Sequence, residues 1–443
     1  MARRPGRLCL RWGRFLAAAL GLLLPLSSCR PPAGGGRAPV ELDIWSAPQG
    51  VEERGFIALC RRFEAEHPGV TVHNVGASNM EKLVRAIVAG APPDLAYLYD
   101  TTPVGPLAAN GAVRVLDGDF ARSGLRESDF LPGAIAQGRY KGHLYAMPVT
   151  RDSRALYWNR TVFREAGLNP DRPPQTLEET LTLAARLTRR RPDGTLERLG
   201  MPLPGGPELV MALFGGDVVD ERTYQITADR PENVEALRWY VRLADAQGGY
   251  RAISALTAGF GADQSGQNPL ATGKIAMRID GEWTAMYLEK YGPWTDYAIG
   301  EIPHPAARPD LKNLAWQDGD IMVIPNGSRH PQLAWEFMVW MQQPAQQDFY
   351  AAVMNNLPSI MALRHSPRLT RGSRTKRALG YVLGHIASDP HNARFLPSLP
   401  IAQIYRDTLQ NAFDRALFHE VTPEQALATV QARMEREMRR YDP

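Results

Sequence analysis

The chain has 443 residues, long enough for more than one domain. Hydrophobic residues make up 44% and charged residues 22%, which excludes a disordered chain, a fibrous repeat and a polytopic membrane protein. The formal charge of +4 does not imply a nucleic-acid partner: Arg3, Arg4, Arg7, Arg11 and Arg14 lie in the first 28 residues with no acid, so the remainder carries −1. Residues 1–28 open with this basic stretch and continue through an apolar run, Phe15 to Leu24, too short to span a bilayer, which takes about 20 residues. It fits the core of a secretory signal peptide.

Leu26-Ser27-Ser28-Cys29 resembles the bacterial lipobox, whose cysteine is lipidated and becomes the first residue of the mature chain. Residues 29–38, with Pro31-Pro32-Ala33-Gly34-Gly35-Gly36, then read as the lipid-bearing Cys29 and a flexible tether. Cys60 falls on a helical stripe with Phe56, Leu59 and Phe63 and is expected to be core, so no intramolecular disulfide is expected.

Val40-Glu41-Leu42-Asp43-Ile44 alternates as a strand does. A helix from Val51 to His67 follows, stopped by Pro68-Gly69. Val70 to His73 is the next strand, and Ser78-Asn79-Met80-Glu81 reads as a capping box for the next helix. Leu95 to Tyr99 is a third strand. Strand, helix, strand, helix, strand predicts a parallel α/β sheet, with ligand beyond the carboxyl ends of its strands. Helices are predicted over Thr176–Arg190, after Pro231, around Trp335-Phe337-Trp340 and after Pro423. Strands are predicted at Lys274–Ile279, Tyr297–Gly300 and Asp320–Pro325. Phosphate loops, dinucleotide fingerprints, nucleophile elbows and zinc helices have no match, so no cofactor, metal or catalytic residue is assigned.

Several stretches, taken in order, are familiar. They include Leu42-Asp43-Ile44-Trp45, Phe63-Glu64-Ala65-Glu66-His67-Pro68-Gly69-Val70, Ala89-Gly90-Ala91-Pro92-Pro93-Asp94-Leu95, Leu156-Tyr157-Trp158-Asn159-Arg160, Gly281-Glu282-Trp283 and Ile324-Pro325-Asn326-Gly327-Ser328. Together they resemble the extracellular solute-binding proteins of ABC sugar importers, in the maltose- and glycerol-phosphate-binding branches. The resemblance implies an α/β, two-lobed periplasmic-binding-protein fold of type II. Lobe I is expected over 39–150 and 303–352, and lobe II over 151–302 and 353–443. Crossings are expected at Met147–Asp152, at Glu301–His304 and somewhere after Met341.

The implied function is capture of a mono- or oligosaccharide between the lobes and its delivery to the ABC permease. The implied protein is an exported monomer, held at the membrane by its N-terminal lipid. The resemblance places ligand contacts at Trp45, Ser46, Gln49, Ser78, Tyr99 and Asp100 in the first lobe. Arg151 and Asp152 follow at the crossing, then Trp283, Trp316, Asp318 and Arg394. Trp45 is equally a packed strand end, Asp100 a helix cap, and Asp318 and Asp320 caps rather than contacts. Trp283 is expected to be a sugar platform, aimed into the cleft by a turn at Gly281. Arg394 resembles, one residue out of register, the phosphate-binding arginine of the glycerol-phosphate branch, so a glycerol-phosphate ligand is the alternative. A surface glycoside-processing enzyme and a ligand-free scaffold are the readings from other classes.

Overall fold

The computed structural model describes residues 40–354, 356–385 and 393–441. The leader, Cys29 and the tether lie outside these residues. The alternating opening forms β1 (Val40–Ser46), with Leu42 and Ile44 fully buried. In α1 (Val51–Glu66) the stripe Phe56, Leu59, Cys60 and Phe63 turns into the core, as its helical spacing requires. β2 (Val70–Val75) and β3 (Leu95–Leu98) flank β1, both parallel to it. Between them runs α2 (Met80–Val88), capped one residue later than the sequence suggests. Asn79 Oδ1 accepts from the Lys82 N–H at 2.9 Å, and the Ser78–Glu81 box is not made. Serine and asparagine cap equally well, so residue type did not decide between neighbours. The Ser78 hydroxyl is thereby released from helix duty.

β4 (Ala146–Pro148) and β5 (Thr150–Asn159) are separated by Val149 alone, yet they belong to different sheets. β5 is the spine of the second sheet. It pairs antiparallel with β6 (Met277–Gly281), β7 (Tyr297–Gly300) and β8 (Ala315–Asp318). The chain then returns: β9 (Ile321–Val323) sits in the first sheet between β3 and β4, antiparallel to both. The first sheet therefore runs β2-β1-β3-β9-β4. The short β10 (Leu357–Pro358) pairs with Arg151 and Thr150 at the start of β5, and β11 (Ala393–Arg394) extends the second sheet parallel to β8.

The chain passes from the first sheet to the second at Val149. The expected return at Glu301–His304 does not hold. His304 bridges Thr176 beside the second sheet, β8 still belongs to that sheet, and the return is Asp318-Gly319-Asp320. Glycine is required there because a Cβ on Gly319 would lie 2.3 Å from the Thr150 carbonyl oxygen, where the two crossing segments touch.

Each sheet has its own core. Against the first pack α1, α3 (Pro331–Met341) through Phe337 and Trp340, and α4 (Pro344–Met354) through Tyr350. Leu363, and Leu369 of α5 (Pro367–Thr370), belong to the same core. Ala378, Leu379, Val382 and Leu383 of α6 (Arg374–His385) belong to the other, so the third crossing falls between α5 and α6, later than residue 353. The second core also takes Tyr157, Trp158, α7 (Ala402–Leu417) and α8 (Pro423–Met438). In α8, which opens at Pro423, Thr422 and Gln425 make a capping box on both sides.

Candidate functional site

Strand register sorts the candidates. In β5, Arg151 and Ser153 are buried, while Asp152 and Arg154 show on the opposite face. In β8, Ala315 and Gln317 are buried while Trp316 and Asp318 are half-buried on the other face. Asp318 is the direct cross-strand partner of Asp152, and Arg394 of β11 is the partner of Trp316. On the far side Arg154 pairs with Gly281, the last residue of β6, and Trp283 follows two residues later. The Arg154 guanidinium carbon lies 4.6 Å from the centre of the Trp283 ring. One row, Arg394–Trp316–Asp318–Asp152–Arg154–Trp283, thus crosses the second sheet.

Five of these six residues are legible as candidates in the sequence. Arg154 is the one missed, and its signal was the period of two counted on from Asp152. Gly281 serves Trp283 differently from expectation. It has no left-handed backbone; instead, ring carbons of Trp283 lie 2.3–2.5 Å from where its Cβ would stand, so the indole folds back onto the bare strand end.

Arg151 does not join the row. It is 2% exposed, and its two terminal nitrogens donate to Gln137 Oε1 and Gln317 Oε1. Burial draws its pKa down to about 10 against the pull of Asp318, Asp152 and Glu282. It ties the crossing together from beneath and cannot reach a cleft ligand. Asp320 resolves in the same direction: it is buried, accepts from the Tyr97 hydroxyl at 2.7 Å, and Tyr97 in turn meets Tyr350 at 2.9 Å.

The first sheet contributes from its strand ends. The hydroxyls of Ser46 and Ser78 are buried without a hydrogen-bond partner among the described residues, and the two backbones are joined by a Ser78 N–H to Ser46 carbonyl bond of 2.9 Å. Trp45 is half-buried with the Lys82 ammonium 4.6 Å from its ring centre. Asp100 does cap locally, accepting from the Thr102 N–H at 2.8 Å, and its other oxygen stands 4.0 Å from Arg406 Nη1 of α7. Gln49 and Tyr99 line a cavity of about 720 Å³ together with Glu52, Tyr287 and Tyr291. The Tyr99 hydroxyl donates to Glu52 at 2.7 Å. Thr101 Oγ1 reaches Asp318 Oδ1 at 3.4 Å, which joins the end of β3 to the row on the second sheet.

The centre of the row is anionic. Burial, then Asp100 and Asp152, push the Asp318 carboxyl up to about 6, against Arg154 and the Gly319 N–H. Behind it Glu282 is fully buried; burial and Asp152 raise its pKa, while its Oε2 accepts the Ser153 N–H at 3.1 Å. Arg394, at the end of the row, faces the carboxylates of Asp217 and Glu221. Carboxylates accept hydrogen bonds from hydroxyls, and flat indoles offer apolar faces; together they suit a polyhydroxylated ring. Among the described residues no group of three or more His, Cys, Asp and Glu side chains is arranged to hold a metal ion.

Residues 58–372 match the family model described as bacterial extracellular solute-binding protein. The chain belongs to that family. Among curated relatives, the maltotriose-binding protein of Pyrococcus abyssi is 24% identical over 303 residues, covering 67% of this chain and 61% of that protein. The sn-glycerol-3-phosphate-binding periplasmic protein UgpB of Escherichia coli K12 is 28% identical over 183 residues, 39% of this chain and 40% of that one. The chain thus spans under two thirds of the length of these family members. Among solved structures, CpMnBP1 with mannotriose bound has 29% identity and a TM-score of 0.77, covering 89% of this chain and 99% of that one. UgpB of Mycobacterium tuberculosis in complex with glycerophosphocholine shares the fold at 19% identity, with a TM-score of 0.71 over 91% and 99% of the two chains. The family's two-lobed type II arrangement is the fold of this chain.

Proposed function

We propose that this protein is the receptor of an ABC importer and captures a neutral mono- or oligosaccharide between its two lobes for delivery to the permease. The observation that carries the reading is the row on the second sheet, in which two tryptophans flank the facing carboxylates Asp152 and Asp318. The first lobe, 40–148 with 320–370, would close over it with Ser46, Ser78, Trp45 and Asp100. The second lobe takes the remaining described residues. The structures of CpMnBP1 with mannobiose and with mannotriose bound, at 28% and 29% identity over nearly their whole length, support an oligosaccharide of that kind. The chain would be exported by residues 1–28 and held by lipid on Cys29, with its receptor face outside the membrane.

The alternative, a glycerol-phosphate ligand, has the UgpB likeness in its favour. The charges speak against it. Asp152 and Asp318 repel a phosphate, and Arg394 already faces Asp217 and Glu221. Calorimetric titration with mannobiose, mannotriose, maltotriose, sn-glycerol 3-phosphate and glycerophosphocholine tests the choice. Heat with an oligosaccharide alone supports the reading; heat with a phosphate ester alone overturns it.

A further inference from the structure

Beyond the leader, a strong charge asymmetry lies away from the row. Between Asp348 and Asp389 there is no acid, and six cations fall within fourteen residues: Arg364, Arg368, Arg371, Arg374, Lys376 and Arg377. They lie on and around α5 and α6, and Arg364, Arg368, Arg371 and Arg377 are exposed. Two carboxylates approach them. Asp348 pairs with Arg368 at 2.9 Å, and Glu289 sits beside Arg374. Arg364 and Arg377 donate only to backbone carbonyls, and neither they, Arg371 nor Lys376 has an ion pair among the described residues. The face therefore keeps most of its charge, while residues 29–443 without these six cations carry an excess of acid.

A second feature adjoins it. Trp294 is 65% exposed, the barest large aromatic of the described residues. Its neighbours Pro293 and Thr295 give their carbonyls to Arg374, so the indole stands at the edge of the basic face. We propose that this face, α5–α6 with Trp294, docks on an anionic phospholipid surface. Arginines beside an exposed tryptophan match the headgroup layer, which offers phosphates and an amphipathic zone where indoles settle. An acidic protein partner would satisfy the charges and leave the indole without a pocket.

The position agrees. The described chain begins at Val40, whose N–H donates to the Gly69 carbonyl at 2.8 Å, just past the end of α1. From there contacts lead to the basic face. Gln346 reaches Glu66 at 3.4 Å, Arg62 stacks on Phe349 at 4.8 Å, and Asp348 accepts from Ser366 and Arg368, each at 2.9 Å. The end of α1 beside Val40 is thus continuous with the face that would meet lipid.

The test uses residues 39–443, which form a compact unit of their own and lack Cys29, so the outcome does not depend on the anchor or on the sugar reading. Sedimentation with vesicles rich in phosphatidylglycerol should show binding that pure phosphatidylcholine does not support. The binding should fall as salt rises from about 0.1 to about 1 M. Replacing Arg364, Arg368, Arg371 and Arg377 together by Gln should weaken it by about a hundredfold. Lysine at the same four positions should preserve it, which separates lost charge from lost fold. Trp294→Ser should weaken it several-fold. Equal binding to neutral vesicles, or an unchanged glutamine variant, would overturn the proposal. So would binding to polyglutamate without binding to vesicles, which would assign the face to an acidic protein.

Discussion

Trp283 opens the site at the scale of single residues. Its ring rests on Gly281 and beneath Arg154, and it remains half-buried. Trp283→Ala should weaken sugar binding by about 1.5–3 kcal/mol, the order expected for one buried aromatic contact, and should cost less than that in stability. Calorimetry and thermal melting on the one variant separate the two. A loss of about 3–5 kcal/mol of stability with unchanged affinity of the folded fraction would make Trp283 core instead. Asp318 supplies a second test. Its pKa is raised to about 6 in the fold from 3.8, so its favourable contribution is full below about pH 4 and is lost as pH rises through 6. Asp318→Asn removes that loss. Relative to the parent, the variant should gain stability between pH 4 and 7, on the order of 1 kcal/mol once solvent screening at a partly exposed carboxylate is allowed for. Chemical denaturation at several pH values measures it. A constant difference across that range would mean that Asp318 titrates as an ordinary carboxylate.

At the scale of elements, the return crossing is the feature that the sequence reading misplaced. Gly319→Ala would drive a methyl to 2.3 Å from Thr150 O and 3.1 Å from Arg151 Cα, and both are backbone atoms that cannot swing aside. A cost of about 1–3 kcal/mol is expected in denaturant melts. Gly259→Ala, whose nearest neighbour would stand at 3.5 Å, should be nearly neutral and serves as the control. Equal effects at the two sites would show that Gly319 is not a contact point. What was legible follows from physics of short range. The stripe Phe56–Phe63, the helix opening at Pro423 and the strand Tyr297–Gly300 are written in neighbouring residues, and they appear where expected. The crossings are not local. Residues 303–318 are expected in lobe I, and only the pairing of Gln317 and Asp318 with Ser153 and Asp152 assigns their strand to the second sheet. The site divides in the same way. Asp152 and Asp318 could be named singly, but their opposition across the strands and the capture of Arg151 by Gln137 and Gln317 are tertiary facts.

At the scale of the whole molecule, the described chain passes between the two sheets at Val149, at Gly319 and between Thr370 and Arg374, and the strand Leu357–Pro358 also pairs with the start of β5. The first two lie side by side, so they define one axis about which the lobes can turn. The bonds between the lobes are of two kinds: Thr101 to Asp318 at 3.4 Å and Asp100 to Arg406 at 4.0 Å are weak, whereas Gln137 Nε2 donates to the Gln317 carbonyl at 2.9 Å, the Ser398 hydroxyl to the Gln137 carbonyl at 3.0 Å and the Lys141 N–H to the Tyr224 hydroxyl at 2.9 Å. In the proposed reading, a sugar held by the row on one lobe and by Ser46 and Ser78 on the other would bind the closed arrangement better than the open one, and would shift the population by that difference in affinity. Moving a population from 1:99 to 99:1 takes about 5.5 kcal/mol of differential affinity, within reach of a few hydroxyl bonds and one stacked ring. Small-angle scattering should therefore show a smaller radius of gyration at saturating sugar. Trp283→Ala should need more sugar to reach the change, and should then contract to the same limit if the other contacts suffice to close it. If the variant saturates by calorimetry yet stays expanded, Trp283 itself couples binding to closure. If the parent does not contract at saturation, the passages are stiff, and the ligand enters a cleft that is already formed.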